Sequence, residues 1–131
     1  MTLKWQASPF KNPLARARGL GSTGKGFDHW WLQRVTAFSN FFLMVWAIYS
    51  VVGLVGADYE TFTLWLSVPV HAILLSLFIV STFTHAALGL QVVIEDYVHC
   101  ELSKVLSLIA LRLVLTGLAV AALFSILKIA I

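Results

Sequence analysis

The sequence is short of charge. It has nine Lys and Arg and six Asp and Glu among 131 residues, or 11%, whereas a soluble domain carries about 25%. So few charges cannot cover the water-exposed surface of a chain this size, which excludes a soluble globular protein. With 60% hydrophobic residues and a mean hydropathy of +0.89, the chain is an integral membrane protein. Cysteine is nearly absent. Cys100 stands alone, which excludes an intrachain disulfide and a cysteine set for iron–sulfur clusters. No flavin-binding motif is present either. Acidic residues are missing from Met1–Gly26, which carries Lys4, Lys11, Arg16, Arg18 and Lys25. No apolar segment directly follows its first basic residues, which excludes a secretory signal peptide. The segment shares the Arg-rich, acid-poor bias of a mitochondrial transit peptide, but no amphipathic periodicity accompanies it. A solvated tail on an anionic membrane surface, or under a soluble partner, is the plainer expectation.

Three long apolar runs follow. Val35–Val55 has no charge and is preceded by Asp28-His29-Trp30-Trp31, in which Asp28 can cap a helix and the two indoles suit the headgroup belt. An acidic loop, Gly56–Thr61, then leads to Leu64–Ile94, longer than the roughly 20 residues a span needs. Pro69 can mark the first turn of that helix. Glu95–Lys104 is the charged cluster before the third run, Val105–Ile131, which contains Arg112 and Lys128. The pattern predicts an all-α integral membrane fold. A basic tail covers about residues 1–27, and a three-helix unit covers about 28–131, with spans near 30–55, 66–93 and 105–129. The tail and the start of the first span carry six basic residues and the first loop none. The positive-inside rule therefore puts the N-terminus and the loop near Tyr97 on the cytoplasmic or matrix side.

An ionisable group within a span is a functional candidate. His85 lies in mid-span, with the small residues Ser81, Ala86 and Gly89 within one turn. An imidazole there can ligate a haem iron or bond a neighbouring helix, and spacing alone leaves both open. His71, fourteen residues earlier, shares its face about 21 Å away. That spacing could hold two stacked haems, but the chain has no second helix with a matching histidine pair, so a hydrogen-bonded imidazole is expected. Tyr97 and Asp96 sit where the second span leaves the membrane. The phenol can donate to a quinone carbonyl or serve as an ordinary interfacial aromatic. Arg34 begins the first span on the same side, expected near the level of Val92–Asp96. It can pair a haem propionate or anchor the helix. His29 has the same two readings, with anchoring the plainer one. Arg112, about 12 Å from Lys104 along the third span, can snorkel or pair with an anion.

The run His85-x3-Gly89-Leu90-Gln91-Val92-Val93-Ile94-Glu95-Asp96-Tyr97-Val98-His99, preceded by His29-Trp30-x3-Arg34-Val35, resembles the smaller membrane-anchor subunit of succinate dehydrogenase, respiratory complex II. The likeness extends from about Gly19 to Ile131, and Arg16-x-Arg18-Gly19-Leu20-Gly21-Ser22 is similar to bacterial members. The resemblance implies one haem b between two small membrane subunits, each giving an axial histidine; the matching position here is His85. It also implies a ubiquinone-site tyrosine in an Asp-Tyr pair, matching Asp96 and Tyr97, and a propionate-side arginine, matching Arg34. Some members have His-Asp before the first helix where this chain has Asp28-His29, so no propionate role carries to His29, and none to His71. The implied partners are a second cytochrome b anchor subunit, an iron–sulfur subunit and a flavoprotein, with no nucleic acid. The implied place is the bacterial cytoplasmic membrane or, alternatively, the mitochondrial inner membrane. A quinol:fumarate reductase anchor, and a small non-redox transporter or scaffold, are the rival expectations.

Overall fold

The computed structural model describes residues 26–131; the basic tail and its Arg16–Ser22 motif lie outside them. Four helices follow one another: α1 (Gly26–Gly53), α2 (Tyr59–Ser67), α3 (Pro69–Tyr97) and α4 (Glu101–Ala130). Among the described residues there is no strand. α1, α3 and α4 are each long and apolar enough to cross a membrane. Helix is the expected state there, because each backbone polar group in hydrocarbon needs a partner within its own segment. The chain divides into two compact units, Met1–Trp31 and Leu32–Ile131.

In the first unit, Phe27, Trp30 and Trp31 form an aromatic group, with Phe27 and Trp31 stacked at 6.3 Å between ring centroids. The helix already begins at Gly26, so Asp28 lies in the first turn and not at the cap. Its charge there complements the helix dipole.

In the second unit, the chain leaves α1 through Gly56, whose φ of 81° is the left-handed conformation glycine adopts without a Cβ clash. The acidic loop is shorter than its composition suggests. Asp58 caps α2, its Oδ1 accepting from the Thr61 N–H at 2.9 Å. That bond turns Tyr59–Ser67 into a helix of its own. Pro69 then occupies the first helical position of α3, where its missing N–H costs nothing. The second apolar run is thus two helices broken before a proline. Leu66 of α2, 1% exposed, is the most buried side chain among the described residues, and α2 packs on both α3 and α4. α3 ends at Tyr97, and after a three-residue loop Glu101 opens α4, with Lys104 3.6 Å from the Glu101 carboxylate.

Only Leu66, Ile126 and Thr36 are buried among the described residues. The other apolar side chains are half-buried or exposed, and so much exposed apolar surface would in water be an aggregation hazard. In lipid, hydrocarbon is as apolar as leucine, and burial no longer has to hold helices together. Polar contacts take over part of that role.

Candidate functional site

α1 and α3 run antiparallel and meet along a short polar ladder within the second unit. Thr36 Oγ1 lies 3.0 Å from His85 Nδ1. Ser81 Oγ reaches the Thr36 carbonyl at 3.4 Å, and Thr82 Oγ1 reaches Asn40 Oδ1 at 3.4 Å. At the other end, a Cβ on Gly89 would stand 3.6 Å from Gln33 Nε2. Gly89 is where the Gln33 side chain approaches the α3 backbone. Small and hydroxylated residues at these positions let the helices close and give them interhelical bonds where no water competes.

The bonding around Thr36 selects a tautomer. Its Oγ1 lies 2.8 Å from Leu32 O and 3.2 Å from Gln33 O. Carbonyls only accept, so the single hydroxyl proton goes to the backbone one turn earlier. The oxygen is then an acceptor towards His85, and Nδ1 must carry the ring proton. Nε2 keeps its lone pair and has no hydrogen-bond partner among the described residues. A ligating histidine shows this pattern, one ring N–H fixed by a protein acceptor and the other nitrogen bare. Among the described residues no group of three or more His, Cys, Asp or Glu gathers. A metal on His85 would therefore bring most of its ligands with it, as a haem iron does. The donor set fits that group. Gln33 Oε1 on α1, buried and without a donor among the described residues, is a further unmet polar atom.

Arg34 is exposed and lies two residues before Thr36. That is about 200° round α1, so it does not share the face that meets His85. The Gln33–Gly89 and Asn40–Thr82 contacts put Arg34 beside about residues 87–88 of α3. This is one to two turns deeper than the expected level of Val92–Asp96. Side chains lean towards a helix N-terminus, so the long guanidinium stem recovers part of that difference. Asp96 and Tyr97 form the end of α3, both exposed, Tyr97 at 77%. His85 and Tyr97 are twelve residues apart, about 18 Å along the axis. The structure thus places His85 with Thr36, and leaves Arg34 and Tyr97 as separate surface groups on the two helices.

His71 is a hydrogen-bonded imidazole, as expected from the lack of a second helix with a matching histidine pair. Its Nδ1 donates to Trp65 O at 2.7 Å, and its ring stacks on Trp65 at 4.3 Å between centroids. Trp46 extends the stack at 6.1 Å beside a cavity of about 380 Å³. His29 Nε2 is buried with no hydrogen-bond partner among the described residues. Thr36 was not singled out from sequence. Its signal was a hydroxyl in a charge-free span, visible but shared with Ser39 and Ser50.

Three helices long and apolar enough to cross a membrane, two of them joined by polar contacts, define a membrane-embedded subunit. The sequence profile of the succinate dehydrogenase/fumarate reductase transmembrane subunit matches residues 8–126, and the chain belongs to that family. It is similar to the succinate dehydrogenase hydrophobic membrane anchor subunit of Rickettsia bellii, 33% identical over 79% of this chain and 83% of the relative. It is also similar to that of Rickettsia conorii, 38% identical over 68% and 71%. The subunit of Paracoccus denitrificans is 28% identical over 65% and 66%. No solved structure matches the chain.

Proposed function

We propose that the chain anchors a succinate:quinone oxidoreductase in the membrane, gives His85 as one axial ligand of a haem b shared with a second membrane subunit, and helps to form the ubiquinone-reduction site. The Thr36–His85 hydrogen bond carries this reading. At 3.0 Å it fixes the imidazole with Nδ1 protonated and Nε2 bare, the state in which a histidine ligates a metal. Bound there, the haem supplies a one-electron centre.

The chain's own residues supply position and protons. Thr36 orients the ring. Arg34 holds a propionate from the deeper level its register gives it, its stem leaning towards the N-terminal end of α1. Tyr97, exposed at the end of α3, donates to a quinone oxygen where a headgroup can arrive from lipid. Asp96 beside it supports that site. The N-terminus and the Val98–Cys100 loop face the cytoplasm, following the basic tail and the acidic first loop. Succinate is oxidised in flavoprotein and iron–sulfur partners on that side. The family's description covers both directions of the reaction; the relatives named above are all called succinate dehydrogenase subunits. That supports succinate oxidation and a bacterial cytoplasmic membrane.

The test is purification of the native complex through this chain. A flavoprotein and an iron–sulfur subunit are expected to co-purify, with a b-type reduced-minus-oxidised spectrum and succinate-driven quinone reduction. A chain that purifies without redox partners and without haem would overturn the proposal in favour of a transporter or scaffold.

A further inference from the structure

The face of α3 that meets α4 carries a second polar line. Arg112 Nη2 donates to Gln91 Oε1 at 3.2 Å, and Gln91 Nε2 donates to Glu95 Oε1 at 2.8 Å. Gln91 lies about 240° round α3 from His85, so this line is on a different side from the Thr36 contact. The amide bridges the two charges but neutralises neither, and Arg112 has no ion pair among the described residues. Beside it lies a cavity of about 370 Å³ between α3 and α4, whose walls include Val80, Phe83, Leu88, Leu115 and Val120. The arrangement is an apolar groove with one guanidinium at its polar end.

Depth decides what the groove can hold. α3 and α4 have 29 and 30 residues, about 44–45 Å each, against a hydrocarbon core of about 30 Å. Centred helices overhang by about 7 Å at each end. Gln91 is six residues before Tyr97, about 9 Å from the end of α3. Arg112 leans towards the N-terminus of its own helix, which is the same end. Its guanidinium therefore sits about 2 Å inside the hydrocarbon edge, within reach of the phosphate layer that begins just above the acyl chains. A cation there, with no ion pair among the described residues, calls for an anion. Glu95 stands four residues nearer the water, about 6 Å outwards. The order from lipid to water is acyl groove, cation, carboxylate.

We propose that the α3–α4 groove binds one phospholipid with a primary-amine zwitterionic headgroup, a phosphoethanolamine. Its phosphate sits on Arg112, its ammonium on the free oxygen of Glu95 and an acyl chain in the groove. A purely anionic headgroup satisfies Arg112 but meets the Glu95 charge unfavourably. A choline headgroup satisfies the charges but cannot hydrogen-bond Glu95. This assignment does not depend on the haem reading.

The experiment uses the purified complex, delipidated and reconstituted in vesicles of phosphatidylethanolamine, phosphatidylglycerol and phosphatidylcholine in equal parts. It is then extracted, and retained lipid is counted by native mass spectrometry. One retained phosphatidylethanolamine is expected, in preference to the other two. Arg112→Gln should lower its retention about tenfold or more, the scale of a charge-assisted bond. Glu95→Gln should keep a lipid but lose the preference for ethanolamine. Lys104→Gln, a cation at the same end already paired to Glu101, should change neither. If Arg112→Gln fails to assemble, the selectivity of Glu95→Gln still decides. The assignment is overturned by any of four results: no retained lipid, as when a partner carboxylate occupies the groove; preference for phosphatidylglycerol or phosphatidylcholine in the native complex; unchanged selectivity in Glu95→Gln; or equal loss with Lys104→Gln.

Discussion

Replacing Thr36 by valine removes one hydroxyl and keeps nearly the same volume, which makes it a clean test of how His85 is held. In the native chain the Thr36 oxygen accepts from His85 Nδ1 at 3.0 Å while its proton goes to the backbone of α1. Thr36 is only 7% exposed, so water does not readily take its place. The valine variant leaves a ring N–H without an acceptor in a low-dielectric site, a cost of about 1–3 kcal/mol. If the ring turns or changes tautomer to avoid that cost, the Nε2 lone pair is misdirected. Either way the penalty falls on ligation, and 1.36 kcal/mol per factor of ten makes it about five- to 150-fold in haem affinity. That agrees with the roughly 10–100-fold loss usual when the outer hydrogen-bond partner of a ligand is removed. The assay is haem per complex after detergent washing, with a redox titration of the b-type band. Thr36→Val should lose haem and shift the midpoint. Thr36→Ser, which keeps the hydroxyl, should stay near the native values. Native haem content and potential in Thr36→Val would refute the role given to this contact.

Tyr97→Phe should slow succinate-driven quinone reduction several-fold to about tenfold, the worth of one net hydrogen bond, and leave succinate oxidation by a soluble acceptor intact; equal loss of both activities would indicate failed assembly. Gly89→Ala should assemble normally, because its Cβ would meet Gln33 Nε2 at an ordinary 3.6 Å, whereas Gly89→Leu should disrupt α1–α3 packing and lower haem content; a normal leucine variant would contradict the close approach. The carboxyl of Asp58 is held below its usual value of 3.8 first by the Thr61 side chain and then by the Thr61 N–H. Its capping contribution is therefore fully present above about pH 4 and fades as pH falls through the lowered value. Thr61 amide exchange should show that acid transition in the native chain and not in Asp58→Asn. Cys100, the single exposed cysteine, lies in the loop between α3 and α4 and should react with an impermeant maleimide only from the cytoplasmic face; labelling from outside would reverse the proposed orientation.

Much of the fold was legible because membrane helices are written in long apolar runs with few charges. Three such runs became α1, α3 and α4, and Pro69 marked the first turn of α3. The short helix α2 was not legible, because Asp58, Tyr59 and Glu60 read as an acidic loop by composition. Only the bond from Thr61 N–H to Asp58 reveals the cap. His85 stood out because an imidazole in hydrocarbon needs a reason. Thr36 did not, because threonine is tolerated in a span and its partner is 49 residues away. The depth of Arg34 was misjudged for a related reason. Position within one helix is readable from sequence, but its register against another depends on contacts such as Gln33 with Gly89 and Asn40 with Thr82.

The central claim is that His85 ligates a haem iron, and the reduced-minus-oxidised spectrum of the purified complex carrying His85→Ala tests it most directly. Succinate oxidation by a soluble acceptor, measured on the same sample, reports whether the partners are still assembled. With that activity retained, the account predicts loss or a marked shift of the b-type band in His85→Ala, and a native band in His71→Ala, whose imidazole is engaged by Trp65. An unchanged band and midpoint in His85→Ala would contradict it.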